Sequence, residues 1–264
     1  MHELPLLIFT LFLQGSVGVT LWLAFSHSTL APGYASRRSL LPAVAGAFVL
    51  ACLGLMASAL HMGYPLNAFN ALRHFASSWL SREIVFASLY LAALGLATLL
   101  LFTGKSGWKA LLMMAALLGL VDVFCMAQIY MHTSVITWQH FNTLALFIGS
   151  VGILGSALVA LAYQRVGGVG IAVIVLLVAI RLLIQPIWLA DVMAGDEIVT
   201  FAHNPLNMFM QLSNMHLLSE SLSVLGALLF AAGALKRAKG ITALGCVMLI
   251  AGEVMLRFVF FSIG

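Results

Sequence analysis

Eight apolar runs dominate this sequence, and each is long enough to cross a lipid bilayer as a helix. Crossing the hydrocarbon core takes about 20 residues of helix, and a spanning segment in lipid must satisfy its own backbone hydrogen bonds. The sequence therefore predicts an all-α integral membrane protein, with residues 1–264 forming a single polytopic membrane domain. The predicted transmembrane helices cover about 4–26, 40–60, 82–103, 108–131, 141–163, 167–189, 216–235 and 241–263.

Composition excludes an ordinary soluble fold. Hydrophobic residues make up 63% of the sequence and charged residues only 8%, against about a quarter charged in soluble domains. The net charge of +4 is too small and too scattered to indicate nucleic-acid binding. The first residues lack the basic segment of a cleavable signal peptide, so we expect the first apolar run to remain as a helix.

The distribution of lysine and arginine predicts the orientation, because short cytoplasmic loops are enriched in these residues. The second, fourth and sixth connections and the two ends hold only Arg73 and Arg82. We therefore expect both termini and the even-numbered connections to lie outside, which is the periplasmic side in a bacterium. The odd-numbered connections carry Arg37, Arg38, Lys105, Lys109, Arg165, Lys236, Arg237 and Lys239.

The two long outer connections, 61–81 and 190–215, share a short motif. Pro65-Leu66-Asn67-Ala68-Phe69 reappears as Pro205-Leu206-Asn207-Met208-Phe209. Each copy precedes a serine and a glutamate at the expected start of the next helix, Ser81 with Glu83 and Ser219 with Glu220. The copies lie four helices apart, so a duplication would give two parallel four-helix halves about a pseudo-twofold axis along the membrane normal. Chance agreement and duplication both remain open.

Four charged residues fall inside the apolar runs, all in the expected outer half of the membrane: Asp122, Arg181, Glu253 and Arg257. Ionisable groups are costly in a bilayer and usually face the bundle interior. Glu253 and Arg257 are four residues apart on one helix face and can pair directly. Two interpretations stay open. The four groups neutralise one another as a buried network, or they line a wet, outward-opening cavity through which protons leave.

The outer end of the second helix carries the string Leu60-His61-Met62-Gly63-Tyr64-Pro65. Gly63 and Pro65 are expected to stop the helix just after His61. Ser81 is expected to cap the third helix and to place Glu83 in its first turn. Since an outer loop joins these two helices, His61 and Glu83 are predicted to be neighbours at the membrane–water boundary. Other polar residues expected beside them are Asn67, Asn70, Arg73 and Arg82.

A histidine beside a carboxylate at this boundary fits the oxidation of a lipid-soluble quinol. The reaction releases two protons with two electrons, and an imidazole accepts a proton near neutral pH while a carboxylate passes it to water. Taken singly, His61 is better explained as a histidine that caps its own helix, and Glu83 as a solvated acid at a helix start; together, beside the other polar residues, they favour a site.

The sequence predicts no redox cofactor or metal of the protein's own. Cys52, Cys125 and Cys246 lie in apolar runs without a Cys-x-x-Cys pair, so neither an iron–sulfur cluster nor a zinc site is expected. The histidines are expected in loops or at helix ends, whereas a membrane-embedded b-type haem needs a pair within helices.

Three strings carry a resemblance to a known family. They are His2-Glu3-Leu4-Pro5-Leu6-Leu7-Ile8-Phe9-Thr10, then Leu60-His61-Met62-Gly63-Tyr64-Pro65 running on through Ala68-Phe69-Asn70 to Leu80-Ser81-Arg82-Glu83-Ile84, and Ala251-Gly252-Glu253 with Arg257 and Phe260. With these residues the sequence resembles the membrane-anchor subunits of anaerobic dimethyl sulfoxide reductase, the DmsC family, over essentially its whole length. The sixth and seventh helices and their loop match least.

The resemblance implies an eight-helix, haem-free subunit of the bacterial cytoplasmic membrane that binds menaquinol and is not an enzyme on its own. Such anchors hold two partners at the membrane. One is an iron–sulfur protein with four clusters, and the other is a molybdenum subunit with a molybdopterin guanine dinucleotide cofactor that reduces S-oxides or N-oxides. The family's quinol-associated histidine and glutamate fall on His61 and Glu83.

The position of His61 and Glu83 adds an expectation about docking. Electrons must reach the iron–sulfur partner over a short distance, so this partner is expected on the outer face. Two alternatives remain: a secondary transporter of a small solute, which has similar breaks and charged cavities, and a purely structural anchor with quinol bound elsewhere.

Overall fold

A computed structural model describes residues 4–25, 37–61, 72–163, 167–194 and 205–263. Every long element in these ranges is an α-helix, and eight helices are long and apolar enough to cross a membrane. The predicted eight-helix membrane fold is therefore confirmed. The helices are α1 (Leu4–Phe25), α2 (Arg37–His61), α3 (Trp79–Thr103), α4 (Trp108–Met131), α5 (Phe141–Tyr163), α6 (Gly168–Ala194), α7 (Pro205–Leu235) and α8 (Lys239–Ile263).

The helices on either side of the sixth connection are longer than the sequence predicts. Helix α6 continues to Ala194, and α7 already begins at Pro205 instead of near residue 216. Proline suits the first position of a helix, where no backbone N–H is needed and its fixed φ is already helical. The second copy of the motif thus opens a helix, and placing Ser219 and Glu220 at a helix start is wrong. The first copy lies outside the described residues.

One end of the bundle carries the start of α1 and is called the N face here. Consecutive membrane-spanning helices alternate in direction, so the odd-numbered helices begin at the N face and the even-numbered ones end there. Two single-turn helices, Leu72–His74 and Ile136–Trp138, lie in connections at this face. The N face therefore contains the connection between α2 and α3, where the sequence predicts the candidate site.

Helix packing follows the same pattern in the first four helices as in the last four. In each set, every helix contacts the next one in sequence, and the fourth contacts the first. Between the sets, α1 contacts α5 and α8, and α5 also contacts α4. Helix α1 thus lies near the centre of the bundle, which explains why its window is the most buried of the eight spans.

Two glycines allow α1 and α5 to approach closely. A Cβ atom added to Gly18 would lie 2.1 Å from the Val151 carbonyl oxygen and 2.7 Å from Gly155 Cα. A Cβ added to Gly155 would meet the Gly18 backbone at 2.5 Å. Lipid tails are as apolar as the side chains, so membrane helices associate mainly through close packing of this kind. The Gly18–Gly155 crossing is therefore a main contact between the two sets of helices.

Candidate functional site

The start of α3 differs from the prediction in a way that changes the position of Glu83. Ser78 caps the helix with an extended backbone, and its side chain accepts a hydrogen bond from the Ser81 N–H. Ser81 is therefore the third helical residue and not the cap. Glu83 follows in the second turn, about 6 Å further along the axis than Trp79, and is only 6% exposed. The expected first-turn position of Glu83 is wrong, because the helix begins one turn earlier. The alternative of a solvated acid at a helix start is also excluded by its burial.

Glu83 shares its surroundings with a second buried carboxyl group. Asp122 on α4 is fully buried, and the two groups are close enough for their charges to interact. Neither carboxyl oxygen of Asp122 has a hydrogen-bond partner among the residues that the structure describes. Above them at the N face, the Trp79 ring contacts Phe124 and His132. This arrangement, the Glu83–Asp122 pair, can take up a proton inside the bundle.

The other residues expected beside Glu83 are only partly described. Helix α2 ends at His61, whose side chain lies outside the described part of the protein, as do Gly63, Pro65, Asn67 and Asn70. Arg73 is exposed. Arg82 donates to the Phe75 and Ala76 carbonyl oxygens at 3.1 and 2.6 Å and stacks over Trp79. Its contacts therefore stabilise the turn before α3.

Three of the four intramembrane charges form one cluster at the junction of α5, α6 and α8. Arg181 makes an ion pair with Glu253, and both side chains are buried. The Ser150 hydroxyl donates to Glu253 Oε2 at 2.6 Å and accepts from Arg181 Nη2 at 3.1 Å. The Arg181 guanidinium also lies directly against the bare backbone of Gly149. We call Arg181, Glu253, Ser150 and Arg257 the charged cluster.

Arg257 links this cluster to the first half of the protein. Its Nη2 donates to Gln14 Oε1 at 2.7 Å and to Ser150 Oγ at 2.9 Å, and its guanidinium stacks 4.1 Å from the centre of the Phe147 ring. Glu253 pairs with Arg181 and not directly with Arg257, so the i,i+4 pair that the spacing allows is not formed. Asp122 takes no part in the cluster, which corrects the predicted four-member network. On α8, the Glu253 side chain points towards α6 and the Arg257 side chain points towards α1.

A cavity of about 30 Å³ lies above the charged cluster, between the N-face ends of α5, α6, α7 and α8. This volume holds about two water molecules. A narrow cleft shares three of its lining residues and reaches Ser150, Glu253 and Arg257. The cavity is lined by Thr137, Trp138, Asn142, Thr143, Leu146, Gln185, Trp188, Phe209, His216, Leu256, Val259, Phe260 and Ile263. We call it the α5–α8 cavity.

Aromatic rings and two indole hydrogen bonds fix the walls of this cavity. Trp138 stacks on Phe260, with 5.2 Å between ring centres, and its indole N–H donates to the Phe260 carbonyl oxygen at 2.9 Å. Trp188 packs edge-on against Phe209 and donates to the Thr137 carbonyl oxygen at 2.9 Å. The connection between α4 and α5 is thereby tied to the ends of α6 and α8.

Three buried polar atoms in the cavity wall have no hydrogen-bond partner among the described residues: Thr137 Oγ1, Asn142 Oδ1 and His216 Nδ1. The other ring nitrogen of His216, Nε2, lies 2.7 Å from Gln185 Nε2 and 3.2 Å from Glu220 Oε1. Whichever tautomer the imidazole adopts, Nδ1 remains available for one more hydrogen bond. The cavity thus offers several polar contacts between aromatic walls.

The α5–α8 cavity is not among the sites that the sequence predicts. The sequence places His216 at a helix end, but this residue lies within α7 because that helix begins eleven residues earlier. Neutral polar residues within the apolar runs could have indicated this site, because such groups also need hydrogen-bond partners in lipid. Gln14, Asn142, Ser150 and Gln185 all belong to this class.

Metal binding has no support within the described ranges. No group of three or more histidine, cysteine, aspartate or glutamate side chains is arranged to hold an ion there. Cys52, Cys125 and Cys246 are free thiols.

Comparisons with known proteins place this sequence among membrane anchors. Residues 1–263 match the family model described as the DMSO reductase anchor subunit (DmsC). The C subunit of the anaerobic dimethyl sulfoxide reductase of Haemophilus influenzae is 32% identical over 149 residues, which is 53% of this protein and 51% of that one. The YnfH subunit of an anaerobic dimethyl sulfoxide reductase of Escherichia coli K12 is 33% identical over 156 residues, 56% of this protein and 53% of that one.

A longer match is to the C subunit of the anaerobic dimethyl sulfoxide reductase of Escherichia coli K12, which is 30% identical over 213 residues, 75% of this protein and 71% of that one. In the two shorter matches the protein spans about half the length of the relative. No solved structure shows significant similarity to it. The match over nearly all 264 residues, on a bundle of eight membrane-spanning helices, shows that the protein belongs to the family of DMSO reductase anchor subunits.

Proposed function

We propose that this protein anchors an anaerobic respiratory reductase in the bacterial cytoplasmic membrane and oxidises menaquinol there. The protein itself performs no terminal reduction. Two electrons pass to an iron–sulfur partner subunit and from it to a molybdopterin subunit that reduces an S-oxide or N-oxide. Family membership and the names of the relatives support this role over a secondary transporter.

The observation that carries the proposal is the buried Glu83–Asp122 pair near the N face. Menaquinol gives up two protons and two electrons when it becomes menaquinone, so its site needs a proton acceptor. A carboxyl group inside the bundle can accept such a proton and pass it on. We assign the first proton acceptance to His61 at the end of α2 and the onward transfer to Glu83.

The connection between α2 and α3 supplies the rest of the proposed quinol site. Gly63 and Pro65 would end α2 beside the ring, and Asn67 and Asn70 would offer hydrogen bonds to its oxygens. Ser81 and Arg82 support the start of α3, and Arg73 favours the release of protons into a polar surface.

The N face is proposed to be the periplasmic side, with both termini there. The basic odd-numbered connections then lie in the cytoplasm, as short cytoplasmic loops generally do. The iron–sulfur partner docks on the N face in this arrangement, because electrons tunnel only short distances and no haem is proposed between quinol and cluster. Proton release and acceptor reduction occur on the same side, so the complex would not itself move charge across the membrane. An iron–sulfur subunit found on the cytoplasmic loops would contradict this orientation.

We also propose that the bundle consists of two four-helix halves related by a pseudo-twofold axis along the membrane normal. The repeated packing pattern supports this proposal. A twofold rotation would map each helix onto the one four places along the chain, and the observed α4–α5 contact would then correspond to the observed α8–α1 contact. The Gly18–Gly155 crossing would then lie on the axis.

The decisive experiment compares quinol-dependent electron transfer in membranes that contain the whole complex. His61→Arg and Glu83→Gln are expected to abolish or strongly reduce it, while the catalytic partners still react with a soluble dye donor and stay attached to the membrane. His74→Arg is the matched control, because His74 is exposed in the same connection. Unchanged quinol oxidation in His61→Arg would reduce His61 to a helix-end residue and would move the search to Asp122 and the charged cluster.

A further inference from the structure

The end of the bundle opposite the N face, called the basic end here, is rich in positive charge. Its connections and the helix ends beside them hold the eight lysines and arginines named above, whereas the nearest acidic residue along any of these helices is several turns away. Three of the eight lie in one short segment, residues 236–239, between α7 and α8. Lys236, Arg237 and Lys239 are all exposed there. We call this segment the basic turn.

The backbone of Arg237 has an unusual conformation for its residue type. Its φ of 53° lies in the left-handed region, which residues with a Cβ rarely adopt. The Ala238 N–H donates to the Gly233 carbonyl oxygen at 2.8 Å and so closes the end of α7. Glycine is the usual residue just before the donor in such a helix ending, and in the turn between α3 and α4 Gly104 takes this position with a φ of 81°. The basic turn thus has an arginine where the backbone favours glycine.

The start of α8 has no side-chain cap. Ala238 precedes the helix, and alanine has no oxygen atom that could accept a hydrogen bond from the N–H groups of the first turn. The first turn of α8 also contains no acidic residue. The partial positive charge of this helix start therefore adds to that of the three basic side chains. A phosphate group suits both, because its oxygen atoms accept hydrogen bonds from backbone N–H groups and pair with lysine and arginine.

The exposed side chains next to the basic turn are apolar. Leu235 at the end of α7 is 75% exposed, and Ile241 and Leu244 near the start of α8 are exposed as well. Only three residues separate the two helices, so the basic side chains stay close to these apolar ones. The surface therefore combines an anion site with a hydrocarbon contact. This combination matches an anionic phospholipid better than a water-soluble protein partner.

We propose that the basic turn binds the phosphate headgroup of an anionic phospholipid in the leaflet at the basic end. The Arg237 guanidinium pairs with the phosphate oxygens, and Lys236 and Lys239 add to the attraction. The acyl chains lie along Leu235 and the exposed apolar side chains of α8. Binding of the phosphate offsets the unfavourable backbone conformation of Arg237. This site is independent of the proposed quinol chemistry, because no residue of the quinol site takes part in it.

Native mass spectrometry of the full-length protein tests this assignment. The protein, freed of lipid in a neutral detergent, is titrated with phosphatidylglycerol or with phosphatidylcholine of the same acyl chains. Phosphatidylglycerol should bind more tightly, and Arg237→Gly should weaken its binding about fivefold, which is the usual contribution of one basic residue at a membrane surface. Glycine suits the left-handed backbone, so this variant should unfold no more readily than the wild type. Arg73→Gln is the matched control, because it removes one exposed charge at the N face and should leave the binding unchanged.

Several results would overturn the lipid site. Equal affinities for the two lipids, or unchanged phosphatidylglycerol binding by folded Arg237→Gly protein, would show that the turn does not recognise the anionic headgroup. An equal loss in Lys105→Gln, which removes an exposed charge at the same end of the bundle, would show diffuse attraction to the basic end instead of a site. Membranes that keep the Arg237→Gly anchor but lose its reductase partners would assign the turn to a protein partner. That last result would also contradict docking on the N face.

Discussion

Replacing Gly18 by alanine tests whether close packing of α1 against α5 holds the two sets of helices together. The added Cβ would lie 2.1 Å from the Val151 carbonyl oxygen, which is 1.3 Å short of the 3.4 Å at which ordinary contact begins. The obstacle is backbone, so no side chain can turn away, and α1 must move from α5 by about 1 Å. Overpacking of this kind costs about 1–3 kcal/mol. A central value of about 2 kcal/mol corresponds to roughly a 30-fold change in the unfolding equilibrium.

Two alanine variants serve as controls for this prediction. A Cβ on Gly15 would first meet the end of the Leu158 side chain, at 3.3 Å, and a Cβ on Gly46 would meet nothing within 4 Å. Both controls should be neutral or slightly stabilising, because alanine loses less backbone entropy than glycine on folding. The assay is unfolding of the full-length protein in mixed micelles with increasing dodecyl sulfate, followed by helicity. Equal midpoints for Gly18→Ala and Gly15→Ala would refute the argument.

Two further variants examine the buried charges by the same unfolding assay. Glu253→Gln leaves two guanidinium groups without their carboxylate and should destabilise the protein by about 3–5 kcal/mol. The control Glu220→Gln, which breaks a partly exposed pair, should cost at most about 1 kcal/mol. Similar losses in both variants would show that the charged cluster contributes no more to stability than an exposed ion pair. Asp122→Asn removes a carboxyl group that has no hydrogen-bond partner in the described ranges. The variant should therefore be as stable as the wild type or more stable. A clear loss of stability would show that the ionised Asp122 carboxylate has a partner.

The number of helices could be predicted from the sequence because it depends only on local hydrophobicity. Eight runs of about the required length admit few other folds. The helix ends were less predictable, since Pro205 and Asn207 are compatible with both a loop and a first turn. Ser78 and Ser81 are likewise equivalent as caps until the backbone conformation is known.

The partners of the buried charges could not be predicted, because they depend on which helix faces meet. Spacing alone favours a Glu253–Arg257 pair, yet the rotation of α8 brings Glu253 to Arg181 and Arg257 to Gln14 on α1. The α5–α8 cavity depends on four helix ends and a connection at once. Its residues are spread from 137 to 263, so no single segment of the sequence contains its pattern.

The pairing of Arg181 with Glu253 has a consequence for the order in which the protein is made. Arg181 enters the membrane with α6, but its carboxylate partner lies 72 residues further on. At ordinary rates of synthesis, roughly 5–20 residues per second, the ribosome needs about 4–14 s to reach Glu253. During that interval the Arg181 guanidinium group lacks its carboxylate and has only the hydrogen-bond acceptors of α5, whereas an arginine costs about 2.5–3.5 kcal/mol at the centre of an inserting helix. Helix α6 therefore gains its full stability in lipid only when the last helix of the protein arrives.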